Sequence, residues 1–231
     1  MSAFAGRDRL GPFFLITITI FWGINWPAIK LALNEMPAWT FRSICLLAGG
    51  VGLLAISRLL SGRLRIPRAE WRPLLIASLG NITVWHICSA LGVQHMAPGR
   101  ASILAFTMPL WAAVISALWL RTEISRLILA GLAVGIVGLA VLILPDLAGL
   151  LAHPAGPLFM LAAAVSWAFG TVAMKRFTFT LPTAALAGWQ MLLGGLPIFV
   201  GALLFDRGFS PGTVSTTGWL VVAYSAIVPM I

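Results

Sequence analysis

Trp22-Gly23-Ile24-Asn25-Trp26-Pro27-Ala28-Ile29-Lys30 returns about 145 residues later as Trp167-Ala168-Phe169-Gly170-Thr171-Val172-Ala173-Met174-Lys175. At the same offset Pro37 falls on Pro182 and Gly49-Gly50 on Gly194-Gly195. With a small shift of register, Trp71 falls on Trp219. Apolar helices share a small alphabet and resemble one another by chance. Chance does not keep a glycine pair, prolines and a lysine in step across two helices. Internal symmetry in an apolar chain marks a transporter built from repeats, with its binding site where the repeats meet.

Composition settles the solvent. With 60% apolar and 9% charged residues and a mean hydropathy of +1.01, a soluble core of this size cannot hide the apolar surface. Stretches of about twenty apolar residues, each able to cross roughly 30 Å of hydrocarbon, recur at 12–33, 38–60, 73–94, 101–120, 127–145, 157–175 and 183–205, with an eighth beginning near 216. Their hydrophobicity does not alternate, which argues for helices and against barrel strands. The connections are short, so no soluble domain is expected. The first apolar run is too long for a signal-peptide core and reads as a retained helix. Cys45 and Cys88 fall inside spans and read as unpaired packing residues.

Charge sets the orientation. With a cytoplasmic N-terminus, the cytoplasmic segments hold Arg7, Arg9, Arg58, Arg63, Arg65, Arg68, Arg72, Arg121, Arg126, Lys175 and Arg176. The opposite side holds Lys30, Arg100 and Arg207, and Arg42 is left inside the second helix. This is a positive-inside distribution. The net charge of +9 therefore reflects topology and attraction to anionic headgroups, not nucleic acid. The bias also inverts between repeats, because the arginine-rich segment after helix two corresponds to a nearly neutral one around Asp206-Arg207. An odd number of helices per repeat turns the second copy over. The expected fold is thus all-α integral membrane, with inverted five-helix repeats in a ten-helix architecture and about eight helices in this chain. Residues 1–150 would form the first repeat. Residues 151–231 would form the second, cut short in its third helix.

The residues also resemble a known family. Phe21-Trp22-Gly23-Ile24-Asn25-Trp26 followed by Pro37-Ala38-Trp39-Thr40-Phe41-Arg42 resembles the opening of EamA-type transporters of the drug/metabolite transporter superfamily. Ala101-Ser102-Ile103-Leu104-Ala105-Phe106-Thr107-Met108-Pro109-Leu110 resembles that family's fourth helix, and Glu123 with the glycine-spaced run from Gly131 to Leu144 its fifth. The resemblance implies five-plus-five inverted helices, both termini cytoplasmic, and export of small metabolites, often amino acids or related compounds, from a bacterial inner membrane.

The site reading rests on tryptophans at unusual depth. Indole normally sits at the membrane interface, where its N–H meets water, as Trp39, Trp71, Trp119 and Trp219 do near span ends. Trp22, Trp85, Trp111 and Trp167 fall near mid-span and are expected to face a polar cavity. Trp22, Asn25 and Trp26 share a helix face; the equivalent face of helix six carries Trp167, Gly170 and Thr171. Ser78, Asn81, Trp85 and Cys88 form another stripe with His86 beside it, and Thr107, Met108 and Trp111 follow in helix four. Aromatic walls with a few hydrogen-bonding groups are the usual composition of a small-molecule site. The expected substrate-binding set is Trp22, Asn25, Trp26, Asn81, Trp85, His86, Thr107, Met108, Trp111, Trp167 and Thr171. Pro27 and Pro109 would kink lining helices and serve gating. Gly131 and Gly135, and the two glycine pairs, favour close helix packing.

The acids limit the chemistry. Asp8, Glu35, Glu70, Glu123, Asp146 and Asp206 all map to loops or helix ends, so no embedded carboxylate is available for proton or cation coupling. Arg42 reads as a snorkelling side chain or as an anion contact. His86 reads as a hydrogen-bonded neutral residue or a proton relay. No zinc-spaced cluster, phosphate loop or triad appears, so neither enzyme activity nor a cofactor is expected. The partners expected are a small-molecule substrate and the lipid bilayer, without nucleic acid, and a homodimer is left open. A carrier of phosphorylated or nucleotide sugars, and a non-transporting membrane scaffold, are the alternatives.

Overall fold

Breaks at repeat-equivalent prolines organise the chain. The residue before a proline is pushed out of helical geometry. Accordingly α1 (Arg7–Glu35) stops just before Met36-Pro37, and α2 (Ala38–Leu60) starts immediately after. Pro182 likewise precedes α7 (Thr183–Phe205), after α6 (Ala155–Arg176) has ended. Between them run α3 (Arg68–His95), α4 (Pro98–Leu120) and α5 (Arg126–Ile143), and α8 (Thr216–Ile227) comes last. The computed structural model describes residues 7–123 and 125–230, without the side chains of residues 7–10, 13 and 146. The expectations placed on Arg7, Asp8, Arg9 and Asp146 therefore lie outside what is described.

Among the described residues there are no strands, and seven helices are long and apolar enough to cross a membrane. This is an all-α integral membrane protein.

The two halves pack through equivalent surfaces. α2 lies most extensively against α7, with Trp39 on Gly201, Leu46 on Gly195 and Leu54 on Gly188. One number rises as the other falls, so these equivalent helices are antiparallel. Gly49 presses on α8 and the turn after it, where an added Cβ would sit 3.4 Å from the Ala226 carbonyl and 2.7 Å from Met230 Cβ. Gly194, its repeat mate, presses on α3, where a Cβ would sit 2.6 Å from Ile82 Cβ and 2.8 Å from the Ser78 carbonyl. Ile82 and Ser78 are the repeat equivalents of Met230 and Ala226 in the register that pairs Trp71 with Trp219. Each helix thus makes to the other half the contact its mate makes in return, as two-fold symmetry requires. Because α2 and α7 run antiparallel, that axis lies across the helices, in the membrane plane.

Two elements depart from the sequence expectations. α3 contains a π-helical stretch at Leu79–Val84, a widened turn that is common at functional sites. α4 is broken at Phe106-Thr107, with α-helix at Pro98–Ala105 and Met108–Leu120. Pro109 begins the second piece and does not kink a continuous helix, whereas Pro27 stays inside unbroken α1. The glycines of α5 also behave differently from the expectation of close packing. A Cβ at Gly131, Gly135 or Gly138 would meet nothing within 4 Å, and no residue of α5 is buried.

The basic residues collect at one end. Trp189 Nε1 donates to the Leu64 carbonyl at 2.7 Å, and Glu70 accepts from Thr180, so the segments around 61–70 and 177–182 share that end. Arg121 lies beside Lys175 and Arg176 there as well. At the opposite end Lys30 Nζ donates to the carbonyls of Val93 and Gln94, at 2.8 and 2.9 Å. A cation there satisfies carbonyls that a helix terminus leaves unpaired.

Candidate functional site

Where α1, α2, α3, α4, α6 and α7 converge there is a cavity of about 310 Å³. Its walls bring together Trp22, Asn25, Trp26, Asn81, Trp85, His86, Met108, Trp167 and Thr171. α1 and α6 both contribute to its walls. α1 packs against α8, α3 and α4, and α6 against α3 and α4. Trp85 and Trp167 meet across the repeat boundary with ring centroids 6.4 Å apart.

Thr107 and Trp111 do not line the cavity, contrary to the sequence expectation. Trp111 points outward, and its indole N–H is satisfied within its own helix by Thr107 Oγ1 at 3.2 Å. The hydroxyl of Thr107 in turn donates to the Leu104 carbonyl at 2.7 Å. The break at Phe106-Thr107 rotates the second part of α4, so Phe106 and Met108 line the cavity while Trp111 does not. Ser78 is buried but spends its hydroxyl on the Leu74 carbonyl.

The π-helical stretch explains how Asn81 reaches the site. Gly80 lies against the Ser166 carbonyl and the Gly170 amide, and Gly170 lies against the Asn81 side chain. Only glycine at both positions allows α3 and α6 to approach this closely. Asn81 Nδ2 then reaches Gln190 Oε1 of α7 at 3.4 Å, and Gln190 Nε2 reaches Met174 Sδ at 3.4 Å.

Gln190, Ser89 and Phe106 join the walls without having been singled out as binding residues, and so does Arg42, which had been read as a snorkelling side chain or an anion contact. A signal for two of them was present. Arg42, Cys45, Leu46, Gly49 and Gly50 recur at helical spacing on one face of α2, and all are buried. Ala187, Gln190, Met191 and Gly194 repeat that pattern on α7. Arg42 does not snorkel. It is 2% exposed, its guanidinium carbon lies 5.1 Å from the Phe41 ring centroid, and Nη2 donates to Ser89 Oγ at 3.1 Å.

Several buried polar atoms of the walls have no partner: Asn25 Oδ1, Asn81 Oδ1, His86 Nδ1 and Arg42 Nε. Buried polar groups are normally hydrogen-bonded, and leaving one unpaired carries its desolvation cost. Four such atoms around one space leave hydrogen-bonding capacity that water or a polar ligand can take up. Among the described residues no carboxylate lines the cavity. Glu35, Glu70 and Asp206 instead accept hydrogen bonds from Ser215, Thr180 and Thr40 at the helix ends. Among the described residues no group of His, Cys, Asp and Glu could hold a metal ion.

Two antiparallel helical repeats enclosing an aromatic pocket define a class of membrane carrier. The chain belongs to the EamA-like transporter family, whose model matches residues 9–144 and again 154–231. It is 31% identical over 207 residues to the uncharacterized transporter YvbV of Bacillus subtilis, covering 89% of this chain and 65% of that protein. It is 29% identical over 219 residues to the uncharacterized inner membrane transporter YedA of Escherichia coli, covering 92% and 68%. A probable amino-acid metabolite efflux pump of Salmonella typhimurium is 27% identical over 206 residues, covering 86% and 66%. The chain thus spans about two thirds of the length of these curated relatives. One solved crystal structure shares the fold with a TM-score of 0.66 at 22% identity, covering 93% of this chain and 74% of that one.

Proposed function

We propose that the protein exports small metabolites, amino acids or related compounds, by alternating access through the central aromatic cavity. Residues 1–150 and 151–231 act as the two inverted repeats that rock about it. The observation that carries this reading is the cavity itself. It lies at the boundary between the repeats, with Trp22, Trp26, Trp85 and Trp167 as walls and unpartnered polar atoms facing inward. Such a space suits a compact solute with an apolar body and few polar groups. The Salmonella relative described as a probable amino-acid metabolite efflux pump supports the substrate class. The basic end supports a cytoplasmic N-terminus in an inner membrane. We read the chain as a carrier and not an enzyme. A phosphorylated or nucleotide sugar would call for several cations in the walls, and among the described residues Arg42 is the one there with a permanent positive charge.

The test is counterflow in liposomes loaded with unlabelled compound and screened against labelled amino acids and aromatic metabolites. Saturable uptake accelerated by the internal compound is expected for at least one class. Uptake no faster than in protein-free liposomes across the whole screen counts against the reading.

A further inference from the structure

The cavity holds a buried positive charge that no part of the described protein neutralises. Arg42 sits on the buried face of α2, in the cavity wall, and is 2% exposed. Its one hydrogen bond to a side chain goes to the neutral hydroxyl of Ser89, which itself donates to the His86 carbonyl at 3.2 Å. Nε is buried and has no partner. Among the described residues the carboxylates that could pair with it are committed to helix ends: Glu35 to Ser215, Glu70 to Thr180 and Asp206 to Thr40. A guanidinium taken out of water without a counterion is strongly disfavoured. The Phe41 ring beside it compensates only in part. Structural ties between helices do not need this arrangement, since Ser89 could be matched by any neutral donor.

We propose that Arg42 binds the carboxylate of a monoanionic or zwitterionic substrate whose apolar body lies among the tryptophans. This rests on the transport reading above and narrows its substrate class. The guanidinium presents a planar fork of N–H donors matched to a carboxylate, and Nε is left free to complete it. One permanent cation with no lining acid among the described residues matches one negative charge, which sets the site against dianionic phosphate esters. The surrounding indoles select for an aryl or alkyl body. Unpartnered Asn25 Oδ1 and Asn81 Oδ1 offer acceptors for an ammonium group when the substrate is an amino acid.

The experiment uses the purified protein in lipid nanodiscs and three probes that share a ring and differ in charge: phenylacetate, phenylacetamide and 2-phenylethylammonium. Binding is read from quenching of intrinsic tryptophan fluorescence. Phenylacetate is expected to bind about tenfold or more tightly than phenylacetamide, with the ammonium weakest. Arg42→Gln should remove the preference for phenylacetate, with circular dichroism and a thermal melt showing that the variant is folded. Arg42→Lys should keep part of the preference. The order of the three probes on the wild-type protein decides the matter even if Arg42→Gln fails to fold. Equal binding of all three would overturn the role of Arg42 and leave the cavity a ligand site. Binding of none would also overturn it, while the counterflow screen separately decides the transport reading.

Discussion

Glu35, at the end of α1, caps the start of α8 through Ser215. Its carboxylate accepts from the Ser215 amide at 2.7 Å and from the hydroxyl at 2.9 Å, while Ser215 Oγ accepts from the Gly218 amide at 3.0 Å. Gly218 permits this, because a Cβ there would sit 2.5 Å from Glu35 Oε2. The other end of the molecule carries the counterpart. Thr180, the repeat equivalent of Glu35, donates its amide and hydroxyl to Glu70 at the start of α3. The acid has changed sides of the contact while the contact has been kept. Each half is therefore tied to the other at both ends of the helix bundle.

Removing these ties should cost stability unequally. Glu70 is 6% exposed, so Glu70→Ala removes a buried acceptor of both the Thr180 amide and hydroxyl, at about 1–3 kcal/mol. Glu35→Ala removes a contact at a more exposed helix start and should cost about 0.5–2 kcal/mol. Thermal unfolding in detergent checks the order, and a larger loss at Glu35 would contradict it.

The glycine contacts make a sharper contrast. Gly194→Ala places a methyl against Ile82 and should destabilise by about 1–3 kcal/mol through overpacking. Gly131→Ala meets open space and should be neutral or stabilising by up to about 1 kcal/mol, because alanine is the better helix former. Thermal melts of the two variants side by side decide it; equal destabilisation would mean that α7 does not rest on α3 through Gly194.

Transport should separate the tryptophans by place. Trp22→Ala or Trp85→Ala removes a cavity wall and is expected to lower counterflow by about tenfold or more. Trp71→Ala and Trp219→Ala, outside the cavity walls, should lower it less than about twofold. Initial rates at matched expression are the measurement, since loss of a buried aromatic also destabilises by about 3–5 kcal/mol. Similar losses at all four positions would point to packing.

Sidedness is testable without a substrate. The basic end of the bundle should face the cytoplasm, so a cysteine at Ser61 should be shielded from an impermeant maleimide in intact cells. One at Ser210, beyond the opposite end of α7, should react. The reverse labelling would invert the topology.

Flux should not require a proton gradient. Among the described residues the cavity walls contain no carboxylate, and a carrier whose site binds the substrate in both orientations equilibrates it down its own gradient. Counterflow and net flux with and without an imposed pH step test this. Accumulation against the gradient that is driven by the step and abolished by His86→Ala would make the protein a proton-coupled exporter.

Hydrophobic span length, the duplicated Trp22–Lys30 segment and the arginine count were enough to place the chain in a membrane as helical, inverted repeats. These properties are carried by single segments or by their order, and no partner is needed to read them. The same holds for most of the cavity, because Trp22, Asn25, Trp26, Asn81 and Trp85 lie on helix faces whose period is local. Tertiary structure decided the rest. Trp111 has the same mid-span position as Trp85, yet the break at Phe106-Thr107 turns it out of the site and gives its N–H to Thr107. Arg42 has the sequence of a snorkelling residue, and only the packing of α2 against α7 and α3 holds it inside. The direction a side chain takes depends on which neighbouring helix claims its face, and that choice is made by contacts far apart in the chain.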